Sequence, residues 1–212
     1  MLFRSVVGIM GRTRTTDLAH LVNWLIHLSG RRTGLASARG LYMNQRLVDA
    51  KDARVFEASQ RLLINRALDA AVFENTPLQV LDEGLPYDRC LVGVLTDMPD
   101  HTGLQDHDVQ TPEQVRQVVR TQIDLVLPEG VAVLNAEDPA LVDMAHLCDG
   151  EVIYHAHDAN HPTIVSHLAQ QGRAVVRQQN QVLLLNGPHS QALLDLDFPA
   201  IAKQLKDGVI HP

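Results

Sequence analysis

The stretch Val6-Val7-Gly8-Ile9-Met10-Gly11-Arg12-Thr13-Arg14-Thr15-Thr16 sets two glycines, two arginines and three threonines at the end of an apolar run. Glycines let backbone N–H groups turn inward around phosphate oxygens, and a helix starting just beyond them adds its positive N-terminal end. Gly8 and Gly11 supply the first requirement. A helix that begins near Arg14 or Thr15 and runs to Leu28 supplies the second, with the Thr13 hydroxyl available to Mg²⁺. Arg12 stands where a phosphate loop carries lysine. Guanidinium is a planar fork, not a compact point charge, so it binds phosphate with a different geometry. The segment points to ATP as ligand and puts phosphoryl transfer in question.

Further polar groups fall at the ends of apolar runs. Glu74 closes Asp69-Ala70-Ala71-Val72-Phe73-Glu74, Asp100-His101 follows Leu91 to Thr96, and Asn135 and Asp138 follow Val131 to Leu134. A carboxylate and an imidazole at strand ends suit a divalent cation, so Glu74 and His101 join Thr13 as candidate Mg²⁺ ligands. Each residue also has an ordinary reading: Glu74 as a helix cap, His101 in a turn, Asn135 and Asp138 as Asx groups. Tyr154-His155-Ala156-His157-Asp158-Ala159-Asn160-His161 has the composition of a metal site but no cysteine, and reads as a solvated loop.

Positioning these groups together requires an α/β fold, a mostly parallel sheet with helices on both faces, which binds ligands at the carboxyl ends of its strands. Strand patterns are expected from Ser5, at Thr33–Ser37, 69–74, 91–96, 131–135 and 151–154. A small hairpin is expected at 41–48 around Asn44-Gln45, and a second at 174–185. Helical spacing covers 57–67, a long segment from Pro112 to about Leu127, a short one from Pro139, and 164–171. The pattern predicts one domain over residues 1–212, with a core of about 4–189 and a peripheral strand and helix in 190–212.

Composition narrows the partners. With 212 residues, 45% of them hydrophobic, the chain has enough apolar material for one full core. A net charge of −7 argues against broad contact with nucleic acid or an anionic membrane. No apolar run approaches the roughly twenty residues that span a bilayer. Cys90 and Cys148 form no CxxC pair and no secretion-signal pattern opens the chain, so a cytoplasmic location is expected.

On these residues the chain resembles the Mur-ligase-like central domain of cyanophycin synthetase and, more broadly, the ATP-binding domain of the Mur ligases. The resemblance covers about residues 4–200. It rests on the Val7–Thr16 loop, the 34–48 strand and hairpin, Ala71-Val72-Phe73-Glu74, 84–94, Asp100-His101-Thr102-Gly103-Leu104 and, most specifically, 130–139. That family phosphorylates a carboxylate with ATP, and an amine then attacks the acyl phosphate to form an amide. The resemblance implies phosphate contacts at Gly8, Gly11, Arg12, Thr13, Arg14 and Thr15, nucleotide contacts at Asn135 and Asp138, and magnesium ligation at Thr13, Glu74 and His101. It also exposes departures: Arg12 for lysine, Pro77-Leu78-Gln79 for an arginine and two glycines, and Arg54-Val55-Phe56 for threonine-glycine-proline. A lysine expected in the helix after His101 falls near Val119, and the loop before Asp100 is one residue short.

Family enzymes add an ATP-grasp region and a closing carboxyl-terminal domain, so the resemblance implies that ligation here would need a partner protein. Three readings follow: a degenerate ATP-binding domain acting as a pseudoenzyme or regulatory partner, an active subunit of a split amide ligase, or a protein-interaction module that has lost nucleotide. An exposed apolar patch where the family's other domains pack would predict a protein partner or self-association.

Overall fold

The computed structural model describes residues 5–197, and the apolar runs become eleven strands among them. In chain order these are β1 (Ser5–Met10), β2 (Thr33–Ser37), β3 (Gly40–Met43), β4 (Arg46–Asp49), β5 (Ala70–Glu74) and β6 (Cys90–Leu95). They continue as β7 (Val126–Asn135), β8 (Glu151–Ala156), β9 (Arg173–Gln178), β10 (Gln181–Asn186) and β11 (His189–Asp195). All join one sheet in the order β11-β10-β9-β8-β7-β6-β1-β5-β2-β3-β4. Pairing is parallel from β9 through β2 and antiparallel in the hairpins at either edge.

The helices are α1 (Thr15–Leu28), α2 (Phe56–Leu63), α3 (Pro77–Asp82), α4 (Pro112–Val119), α5 (Thr121–Asp124), α6 (Pro139–Val142) and α7 (Pro162–Ala169). Their placement follows from strand order. The β1–α1–β2 crossover moves one way along the sheet, whereas the connections through α2, α3, α4–α5, α6 and α7 all move the other way. Right-handed crossovers therefore put α1 on one face and the rest on the opposite face. The core agrees: Ala19 of α1 packs with Val7, Ile9, Leu35, Val72 and Val94, while Leu62, Val115, Ile123, Leu141 and Ile164 from the other helices pack with Phe73 and Leu134. Helices thus lie on both faces, but very unevenly.

The hairpin around Asn44-Gln45 is present, with positive φ of 50° and 66° at its two turn residues. The long helix expected from Pro112 to Leu127 is corrected by the structure. It ends at Val119, where the Thr121 hydroxyl donates to the Val118 carbonyl at 2.7 Å, and the chain has entered β7 by Val126. α3 was not foreseen, although Thr76 before Pro77 is a helix-start signal and its hydroxyl accepts from the Gln79 N–H. The strand expected in the tail is β11; residues 198–212, with the expected helix, lie outside the described residues. No helix among the described residues is long and apolar enough to cross a membrane.

Candidate functional site

Four residues, Gly11 to Arg14, connect β1 to α1, and they cross the carboxyl end of the sheet. Gly8 is not among them. It lies inside β1, paired with Phe73 and Gly93, and a side chain there would collide with the Tyr87 hydroxyl and the Gln122 amide. Those two groups form a buried cluster with Asn75, whose amide donates to both at 2.8 and 2.7 Å. The glycine at position 8 thus makes room for a polar core, while Gly11 lets the loop pass close over Thr96 and Asp97.

Asp97, just beyond β6, sends its carboxylate into the loop. It accepts from the Arg12 N–H at 2.8 Å, the Thr13 N–H at 3.4 Å, the Thr13 hydroxyl at 3.0 Å and the Thr96 hydroxyl at 2.7 Å. The Arg12 guanidinium stands 3.9 Å away. Burial pushes the Asp97 carboxyl up, but the bonds from Thr96, Arg12 and Thr13 together outweigh it and hold the group below the usual carboxylate range. The inward-facing amides that would receive a phosphate oxygen in such a loop already hold an anion supplied by the chain.

The helix begins at Thr15, so Arg14, in the left-handed region at φ 56°, occupies the position directly before it. Thr15 and Thr16 both donate to Glu74 Oε1, at 3.0 and 2.8 Å. The Thr13 hydroxyl instead donates to Asp97. The Glu74 side chain is 1% exposed; its Oε2 accepts from the Ala38 N–H at 2.9 Å, and the Arg54 guanidinium lies 3.7 Å from Oε1. A permanent cation thus stands beside the carboxylate proposed for magnesium. Asp52 anchors Arg54 from the other side through both carboxylate oxygens.

Asn135 and Asp138 lie at the adjoining end of β7 and brace the Asp97 segment. The Asn135 amide donates to the Thr96 carbonyl at 3.1 Å, and Asp138 accepts from the Met98 N–H at 3.0 Å while capping α6. His101 sits in the turn that follows. Among the described residues no group of three or more His, Cys, Asp or Glu side chains could hold a metal ion, including the histidines of 155–161. His157 instead meets Glu137 at 2.9 Å.

Asp97 and Arg54 were missed as site residues. Asp97 obeys the same rule that selected Glu74, a carboxylate at the carboxyl end of a buried strand, and only the pairing of β6 with β1 brings it to the loop.

No family model matches the chain. The cyanophycin synthetase of Synechocystis sp. is 33% identical over 185 residues, which cover 86% of this chain and 20% of that protein. That of Crocosphaera subtropica is 31% identical over the same shares. The chain is a relative of cyanophycin synthetase. It spans about one fifth of the length of the curated relatives it matches. Among solved structures, UDP-N-acetylmuramoyl-L-alanyl-D-glutamate–2,6-diaminopimelate ligase superposes with TM-score 0.67 at 15% identity, covering 90% of this chain and 39% of that one. The MurF ligase of Thermotoga maritima in complex with ADP gives 0.54 at 11% identity, over 89% of this chain and 40% of that one. The sheet and its helices have the Mur ligase central-domain fold.

Proposed function

We propose that this chain is a nucleotide domain of the Mur ligase type whose phosphate and metal positions are filled by its own side chains, so that it acts as a pseudoenzyme or regulatory partner of an ATP-dependent, amide-forming ligase. The observation that carries this reading is the Asp97 carboxylate held by the loop amides of Arg12 and Thr13. A nucleotide phosphate would have to displace those bonds and then sit beside a displaced carboxylate, so like charges would meet where the fold otherwise gathers opposite ones. Mg²⁺ meets the same obstacle at Glu74, where Arg54 and two threonine hydroxyls already surround the oxygen it would use. The residues present do not fit Mg-ATP in this arrangement, and no catalytic step is assigned to it.

ATP and a divalent cation remain the ligands to test. ADP is bound in related solved structures, the MurF ligase of Thermotoga maritima and the folylpolyglutamate synthase of Mycobacterium tuberculosis. One observation favours the alternative, an active subunit of a split amide ligase: Thr15, Thr16 and Glu74 still converge at the N-terminus of α1. There another protein would supply the remaining ligase parts. Isothermal titration of the chain with Mg-ATP separates the two readings. The pseudoenzyme reading expects no heat at millimolar nucleotide. Micromolar binding, with ATP turnover when a ligase partner is added, would overturn it in favour of the split ligase.

A further inference from the structure

Arg54-Val55-Phe56 and Pro77-Leu78-Gln79, two segments in which the chain departs from the Mur ligase pattern, meet at one cavity. It measures about 500 Å³ and is lined by Arg54 and Val55 from the first segment and by Leu78 and Gln79 from the second. Thr76, Asp52, Asp82 and Glu83 complete the lining, so three carboxylates stand against one guanidinium and the interior favours cations. Glu74 is not part of it. Arg54 belongs to both places, lining the cavity while its guanidinium lies 3.7 Å from Glu74 Oε1. The side chain thus stands between the cavity and a carboxylate that is 1% exposed.

A carboxylate buried so deeply is met by a cation or by a metal ion. The Thr15 and Thr16 hydroxyls and the Ala38 N–H bond to its oxygens but bring no net charge. Among the described residues the ion pair of Glu74 is with Arg54. The guanidinium is fixed from its other side, where Asp52 accepts from Nε at 3.0 Å and from Nη2 at 2.7 Å. Asp52 also accepts from the Arg54 N–H at 3.0 Å, which ties the side chain to its own loop.

We infer that Arg54 is a resident cation standing in for a divalent ion at Glu74, and that this one side chain is what keeps such an ion out. The inference rests on the proposed function and assigns the metal half of it to a single residue. Without the guanidinium, Glu74 Oε1, the Thr15 and Thr16 hydroxyls and the Asp52 carboxylate border a space that opens to the cavity. These donors are all oxygens. Mg²⁺ and Mn²⁺ suit such a set, because they keep several waters and need only one or two carboxylates from the protein.

Thermal unfolding of the full 212-residue chain with and without millimolar Mn²⁺ tests this. Arg54→Ala is expected to melt several degrees below wild type, because it leaves Glu74 among neutral partners. With Mn²⁺ it is expected to regain about 3–6 °C, the response to a ligand at about ten times its dissociation constant. Neither wild type nor Arg54→Ala combined with Glu74→Gln is expected to respond. If Arg54→Ala does not fold, Arg54→Thr takes its place. A wild type stabilised by Mn²⁺, a single variant that gains nothing, or a double variant that gains as much would each overturn the inference. So would broadening of the wild-type Ala38 amide signal in NMR by Mn²⁺, since that N–H donates to Glu74 and the measurement requires no variant to fold. No nucleotide is present in these experiments, so their failure is distinct from failure of the proposed function, which falls on Mg-ATP binding by the wild type.

Discussion

Replacing Asp97 by asparagine removes one negative charge and one acceptor oxygen from the loop while keeping its shape. The carbonyl of the new amide still accepts from the Arg12 N–H, but the Thr13 hydroxyl loses the oxygen it donates to, Oδ2. A hydrogen bond to a charged group contributes about 1.5–3 kcal/mol when well buried. The Asp97 side chain is 23% exposed and that of Arg12 59%, so their ion pair counts for almost nothing. The expected net loss is about 1–3 kcal/mol. In a chain of this length each kcal/mol lowers the melting temperature by about 2–4 °C.

The same change should open the loop to anions, so the informative assay is thermal unfolding with and without millimolar Mg-ATP. Ligand at ten times its dissociation constant returns about 1.4 kcal/mol. The variant is therefore expected to melt lower than wild type alone and to recover with nucleotide, while wild type does not respond. The pH dependence has a definite sign. The Asp97 carboxyl is depressed below its ordinary 3.8, so its stabilising contribution is complete above that value and is lost as pH falls through the lower folded value. Wild type and variant should converge in strong acid. A variant as stable as wild type at pH 7, or a wild type that is stabilised by Mg-ATP as much as the variant, would refute the idea that Asp97 occupies the phosphate position.

Three further outcomes can be measured. Gly8→Ala forces a methyl group into the Tyr87 and Gln122 side chains and is expected to cost about 1–3 kcal/mol in denaturant unfolding; unchanged stability would mean that the cluster does not fill that space. Glu74→Ala strips the acceptor from Thr15, Thr16 and the Ala38 amide and leaves Arg54 half-paired, for about 2–4 kcal/mol after discounting the 31% exposure of Arg54. A loss below about 1 kcal/mol would put solvent at that carboxylate. Burial pushes the Cys90 thiol up to about 12, whereas Cys148 is only partly buried. A thiol reagent at pH 8 should therefore label Cys148 first and Cys90 only on unfolding; rapid labelling of both would contradict the core.

Much of the fold was legible because local rules govern it. Thr33–Ser37 reads as a strand after the first helix, and it forms one over those same residues. Asn44 and Gln45 were assigned to a turn, and they adopt the positive φ it requires. The break near Arg120 was not legible, because a threonine hydroxyl bonding back to Val118 leaves helical periodicity intact in the sequence. Nor was Gly8 readable as a core residue, since its neighbours Tyr87 and Gln122 arrive from distant segments.

The candidate site divides along the same line. Gly11, Arg12, Thr13, Arg14 and Thr15 are contiguous, so composition alone marks a strand-to-helix turn suited to an anion. What occupies that turn depends on strand order. β6 pairs with β1 so that Leu95 lies beside Met10, and the Thr96 N–H donates to the Met10 carbonyl at 3.2 Å. Two residues beyond Leu95 the chain must therefore pass next to Gly11 and Arg12, and the residue there is Asp97. An alanine at that point, with no acceptor to offer, would leave the loop amides free for phosphate. The Asp97 carboxylate fills them instead, and in the proposed reading that one side chain, just beyond β6, makes the turn self-satisfied whichever residue stands in place of lysine.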